Sequence, residues 1–247
     1  MNKEQNNIQK ESQESIENTT KNYNRIPLVF DIDDVVLDSC QAIIDIINSK
    51  YDLMPRIEEK DINDWDFTYL RREIKRQKGI ELYTQDLLKL FETEEFWERV
   101  NIKQGFLEIV CNKAIQENFR IALVSVGTDI NLKLKREFLY NSLNMQDIMF
   151  LGLPLDLEKP KYTKREIEKI LPLWKGIQID DNYECLNTNA KLKILLKNNK
   201  ETSYNQVVDI REDLYIINDL NELKDILIFI TKANNEFFED FVKIPFV

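Results

Sequence analysis

The stretch VFDIDDVVLDS, residues 29–39, holds four acidic side chains, Asp31, Asp33, Asp34 and Asp38, behind an apolar approach. A second pair, Asp180 and Asp181, closes the apolar run GIQIDD. Carboxylates gathered at the ends of buried strands repel one another unless a cation sits among them. Asp31 and Asp180, from two strands, make a hard oxygen site. Mg²⁺ suits it, because that ion keeps several waters and takes one or two carboxylates plus substrate phosphate oxygens. Asp31, Asp33, Asp180 and Asp181 are the candidate ligands.

In that setting Asp31 can attack phosphorus and form an aspartyl-phosphate. Asp33 is placed to protonate the leaving oxygen and later to activate water. Ser125 ends the run RIALVS, and Val126 and Gly127 follow it. The Ser125 hydroxyl, the backbone N–H groups of Val126 and Gly127, and Lys159 in LEKPKYTK would bind the phosphoryl oxygens and the charge that develops on them. Lys161 and Lys164 compete for the lysine role. Each residue also has a plainer reading. Asp33 or Asp34 could close a turn or cap a helix. Ser125 could be a satisfied loop hydroxyl, Lys159 a solvated surface charge, and Asp181 structural.

Composition narrows the chemistry further. There is no histidine in 247 residues, so Ser-His-Asp and Cys-His catalysis and histidine-bound metals are excluded. The five glycines form neither GxGxxG nor GxxxxGK[ST], which removes the main support for dinucleotide or Walker-type sites. A formal net charge of -10 argues against long nucleic acids as partners. Cys40, Cys111 and Cys185 are odd in number, far apart and without a CxxC. They read as reduced thiols of a cytoplasmic protein. No run is long or apolar enough to span a membrane, and no signal-peptide pattern opens the chain.

The elements that must position these groups follow from hydrophobic patterning. IPLVFDI, RIALVSV, IMFLGL, GIQID, KILL and LYIIN read as buried strands. QAIIDIINSKY, FLEIVCNKAIQE, INLKLKREFLYNSL, YTKREIEKIL and LNELKDILIFITK read as amphipathic helices between and after them. This alternation predicts an α/β, Rossmann-like fold: a mostly parallel sheet with helices on both faces. Sites in such sheets lie beyond the carboxyl ends of the strands. Residues 40–104 contain no buried strand and read as a small helical cap inserted after the first strand, since a structureless loop of that length is improbable. Residues 1–25 are polar and read as a disordered tail. The core domain is then 26–39 with 105–247. NNEFFEDFVKIPFV, at the C-terminal end, should dock on the core; left exposed, it would make a homodimer contact.

The ordered set DIDDV, LVSVG, EKP and IDDNYECL resembles the four motifs of the haloacid dehalogenase superfamily, over residues 26 to about 232. The Lys-Pro pair, common in that family, favours Lys159. Asp34 stands where many members carry glycine, and the second motif lacks the common Thr-x-Arg form. The family's dehalogenases need neither a second Asp nor a metal, so Asp33 points to phosphoryl chemistry. INSKYDLMPRIEEKDINDWDF and TSYN…LYIINDLNELKDIL resemble the deoxyribonucleotidase and cytosolic type C 5′-nucleotidase branch. That resemblance implies Mg²⁺-dependent hydrolysis of a nucleoside 5′-monophosphate. It offers Trp65, Phe67 and Phe96 as aromatics that stack on the base, and Asn205 as a substrate-side residue. The competing reading makes Trp65, Phe67 and Trp97 the core of the insert and Asn205 a turn residue. Two functional alternatives remain: a phosphatase for a sugar phosphate or another metabolite, and a catalytically silent fold that binds a ligand.

Overall fold

The computed structural model describes residues 25–64, 66–143, 148–154, 176–186, 188–198, 200–207, 209 and 211–232. Six short strands run parallel in one sheet: β1 (Ile26–Asp31), β2 (Phe119–Gly127), β3 (Met149–Pro154), β4 (Ile177–Asp180), β5 (Leu192–Leu196) and β6 (Leu214–Ile217). Their spatial order is β3-β2-β1-β4-β5-β6. The chain builds outward from β1 through β2 to β3, then returns to the other side of β1 to lay down β4. The strand order therefore reverses between β1 and β4, the place where a parallel sheet opens a crevice at its carboxyl edge. Register fixes what meets there. Phe30 lies beside Ile179, which brings Asp31 and Asp180 to the ends of neighbouring strands. On its other side Asp31 pairs with Val124, one residue before Ser125.

Alternation along the strands divides the apolar residues between the two faces. Leu28, Phe30, Ile121 and Leu123 belong to the large core cluster. Val29, Ala122 and Val124 belong to a smaller one on the opposite face, with Met149, Leu151 and Leu153. The expected helix YTKREIEKIL falls outside the described residues, as do the tail before Arg25 and the segment NNEFFEDFVKIPFV.

Eight α-helices occur among the described residues: α1 (Ser39–Tyr51), α2 (Thr68–Lys78), α3 (Thr84–Leu88), α4 (Glu94–Arg99), α5 (Gln104–Val110), α6 (Lys113–Asn118), α7 (Asp129–Ser142) and α8 (Leu220–Lys232). One expectation needs correction. FLEIVCNKAIQE is not one helix but two, because Asn112 interrupts it. The Asn112 side chain accepts from the Ile115 N–H at 3.2 Å, capping a new helix instead of continuing the old one.

Residues 38–101 leave and rejoin the sheet through one narrow stem. Leu37 and Ile102 form an antiparallel bridge, flanked by Lys103 N–H to Val36 O at 2.8 Å and Asp38 N–H to Asn101 O at 3.0 Å. The insert then touches the core on two sides. Trp97 packs on Phe138 of α7 with ring centroids 5.4 Å apart. Across the sheet edge, Lys200 Nζ donates to Glu59 at 2.8 Å and Ser203 N–H to Asn63 O at 2.8 Å.

Candidate active site

Three strand ends and one helix build the site. Asp31 ends β1, Asp180 ends β4, and Asp181 follows it. One carboxylate oxygen from each lies within 4.8 Å of the others. Asp180 is buried at 1% exposure, and its carboxylate accepts from the Asn182 N–H at 3.0 Å. Three convergent carboxylates, with Asp31 and Asp181 only half-buried, form an all-oxygen donor set that fits a hard divalent cation.

Beyond Asp31 the chain makes a tight turn in which Ile32 O accepts from both Val36 and Leu37 N–H at 2.9 Å. Asp34 takes the left-handed conformation there, φ 56°, at the position where the resemblance leads one to expect glycine. The conformation is held from outside. The Asp34 carbonyl accepts from Lys103 Nζ at 2.7 Å and Asn198 Nδ2 at 2.8 Å. Its carboxylate accepts from the Cys40 N–H at 2.8 Å, satisfying one of the free donors in the first turn of α1. Asp34 is thus a turn and cap residue. Burial pushes its carboxyl up to about 6, against the pull of the Lys200 and Lys103 charges and the Cys40 N–H.

Asp33 points elsewhere. Its Oδ1 accepts from Ser39 Oγ at 2.8 Å. Its Oδ2 accepts from Ser125 Oγ at 3.3 Å and from Lys135 Nζ at 2.5 Å. Lys135 also donates to Ser125 Oγ at 2.7 Å. The Asp33 carboxylate belongs to this network, whereas the carboxylates gathered within 4.8 Å of one another are those of Asp31, Asp180 and Asp181. Both oxygens are engaged, so the carboxylate is held in one orientation two residues from Asp31.

Lys135 is the residue that sequence reasoning missed. It is fully buried, and its ammonium stands 5.6 Å from the centre of the Phe91 ring. A lysine without exposure must be paired, and Asp33 pairs it. The signal was its position: with Leu132 and Leu139 it completes the inward stripe of α7. Lys159, Lys161 and Lys164 lie outside the described residues. Val126 and Gly127 close β2 beside Ser125, with Gly127 level with Pro154 of β3.

The expected base-binding residues separate from this group. Trp65 lies outside the described residues. Phe96 is fully buried, its ring 4.6 Å from Phe91 and 5.0 Å from Trp97, so both partners are core rings. Phe67 is also buried, at 7% exposure, where it precedes α2 with φ 55°. Both lie in the large hydrophobic cluster that also holds Leu28 and Phe30 of β1. Asn205 is a buried turn residue. Its Oδ1 accepts from the Thr202 N–H at 2.9 Å, its N–H donates to Thr202 Oγ1 at 3.2 Å, and its Nδ2 donates to Lys200 O at 2.9 Å.

No protein-family model and no curated relative matches the chain. Solved structures do match its fold. Protein tyrosine kinase A from Mycobacterium tuberculosis superposes with a TM-score of 0.56 at 10% identity, covering 82% of this chain and 98% of its own. L-2-haloacid dehalogenase from Xanthobacter autotrophicus, with chloropropionic acid covalently bound, gives 0.52 at 10% identity over 82% and 98%. A HAD family hydrolase from Deinococcus radiodurans R1, with bound phosphate and sodium, gives 0.50 at 15% identity over 82% and 95%. The chain thus shares its mostly parallel α/β fold with these structures, a haloacid dehalogenase and a HAD family hydrolase among them.

Proposed function

We propose that this protein is a Mg²⁺-dependent phosphatase of small phosphomonoesters, with nucleoside 5′-monophosphates as the favoured substrates. The observation that carries the reading is the convergence of two groups at one sheet edge: the carboxylates of Asp31, Asp180 and Asp181 within 4.8 Å, and the Asp33–Lys135–Ser125 network beside them. Phosphate bound to the Deinococcus radiodurans hydrolase supports the choice of phosphoryl chemistry. The nucleotide preference rests on the resemblance of the insert and of the stretch after β5 to the nucleotidase branch.

Asp31, Asp180 and Asp181 would hold the cation. When bound, Mg²⁺ neutralises their repulsion and polarises a phosphoryl oxygen. An Asp31 oxygen attacks phosphorus, and the bond from phosphorus to the ester oxygen breaks. Asp33 would serve as the acid for the departing oxygen and then as the base for the water that hydrolyses the aspartyl-phosphate, exchanging the hydrogen bonds it accepts from Lys135 and Ser125 for one to the reacting oxygen. Ser125, the Val126 and Gly127 N–H groups and a lysine, Lys159 as the motif implies or the buried Lys135, hold the equatorial oxygens, where charge builds in the transition state. The helical insert, residues 40–104, acts as the cap over a core formed by residues 26–39 and 105–247. Cys40, Cys111 and Cys185, which form no disulfide with one another, suit a reducing compartment such as the cytoplasm.

The test is phosphate release from a panel of nucleoside monophosphates, sugar phosphates and an aryl phosphate, with Mg²⁺ and with chelator. Mg²⁺-dependent release concentrated on nucleotides is the expected result. Release from sugar phosphates alone would keep the mechanism and replace the substrate, and no release at all would favour a binding role.

A further inference from the structure

Two residues outside the reacting group fasten the turn that carries Asp33. Lys103 Nζ donates to the Asp34 carbonyl at 2.7 Å and to Asn198 Oδ1 at 2.8 Å. Asn198 Nδ2 donates to the same carbonyl at 2.8 Å, which closes a triangle. Each corner comes from a different part of the fold. Asp34 lies in the turn after β1, Lys103 directly follows the stem bridge of Ile102, and Asn198 lies just beyond β5. Asp38 Oδ1 lies 3.7 Å from the same ammonium.

Asp34 and Asn198 both take the left-handed conformation, φ 56° and 51°, where any side chain is strained. Such strain persists only where the surroundings over-determine it. Two donors fix the Asp34 carbonyl, and Ile32 O closes the turn on the Val36 and Leu37 N–H groups at 2.9 Å, with Asp33 held between. Without the donors Asp34 can relax, and the peptide that joins it to Asp33 turns with it. Asp33 Oδ2 is 3.3 Å from Ser125 Oγ, already long for a hydroxyl hydrogen bond, so a small shift of the turn breaks that contact.

We propose that Lys103 and Asn198 are positioning residues for phosphoryl transfer, holding the turn so that Asp33 meets the ester oxygen. The inference rests on the phosphatase reading. In that step an Asp31 oxygen bonds to phosphorus, the bond from phosphorus to the ester oxygen breaks, and the Asp33 proton goes to the ester oxygen. An alkoxide leaving group needs that proton, whereas 4-nitrophenolate, a far weaker base, does not. Lost positioning therefore has a signature that lost stability lacks.

The test measures kcat/KM, which reports phosphoryl transfer and not the later hydrolysis. The substrates are two alkyl esters, thymidine 5′-monophosphate and ribose 5-phosphate, and 4-nitrophenyl phosphate. Lys103→Met keeps most of the stem without the donors. Asn198→Gly removes the amide and still accepts a left-handed backbone. Each variant should lose at least about tenfold on the better alkyl ester and stay within about threefold of wild type on the aryl ester, since a misplacement of about 1 Å costs on the order of 10²-fold. In an Asp33→Asn background the same changes should cost nothing further on the alkyl ester. Equal losses on both kinds of ester, no loss on either, or losses additive with Asp33→Asn would overturn the proposal. So would an Asn198→Gly protein that circular dichroism shows to be unfolded, because the triangle would then be structural. A wild type active on the aryl ester alone has no acid to position and overturns this proposal only. A wild type that releases phosphate from none of the three overturns the phosphatase reading together with this one.

Discussion

At the scale of single residues, the site depends on how two carboxylates with nearly the same address are set apart. Asp31 faces Asp180 and Asp181, while Asp33 is turned into the hydrogen bonds of Ser39, Ser125 and Lys135. Lys135→Met keeps most of the buried stem and removes the ammonium. It should lower kcat by about 10²–10³-fold, the scale of losing one preorganised donor to the phosphoryl group, as steady-state kinetics would show. Asp34 yields a pH prediction. Its carboxyl ionises near 6 when folded, above its ordinary 3.8. The folded chain therefore binds more protons than the unfolded chain between those values. That contribution to stability is present in full below about pH 3.8 and is lost as pH rises through 6. With chelator present, Asp34→Asn should flatten the fall in Tm from pH 4 to 6 relative to wild type; parallel melting curves would contradict this. The acids were legible from sequence because strand-end carboxylates are conspicuous after apolar runs. Lys135 was not, because in KLKREF only its register in the stripe with Leu132 and Leu139 sets it apart from the other cations.

Among the elements, one close approach holds the two acid-bearing strands together. Gly176 precedes β4 so near to β1 that a Cβ there would lie 2.0 Å from Pro27 O. Backbone cannot yield as a flexible side chain can. Gly176→Ala should cost at least about 3 kcal/mol, the upper range for overpacking, as read by denaturant unfolding. The six strands and the helices α1, α7 and α8 were legible, since each combines a long apolar pattern with the right period. FLEIVCNKAIQE was misread because periodicity does not register a cap: the Asn112 side chain competes for the Ile115 N–H and starts a second helix. Phe67 and Phe96 could not be assigned for a related reason. An aromatic in an amphipathic segment has the same pattern whether it stacks on a ligand or fills a core, and only its burial decides.

For the molecule as a whole, the sheet order and the insert together define where chemistry can occur. The insert is pinned at its stem by Leu37 and Ile102 and reaches the core again through Glu59, Asn63 and Trp97. The alternation of strands and helices made this architecture readable, whereas the contacts between insert and core involve single polar residues without a sequence pattern. Mg²⁺ that binds the folded acid cluster must also stabilise the fold, by about 2.7 kcal/mol at a hundredfold excess over its Kd. Tm should therefore rise with Mg²⁺ in wild type, and the rise should be lost in Asp180→Asn. The central claim is that Asp31 is the nucleophile. The most direct measurement is kcat of Asp31→Asn beside wild type, on whichever ester the wild type hydrolyses fastest, with circular dichroism to confirm that both are folded. The account predicts a fall of about 10⁴-fold or more, because a carboxamide cannot form the acyl-phosphate. A folded Asp31→Asn protein that turns over within tenfold of wild type would contradict it.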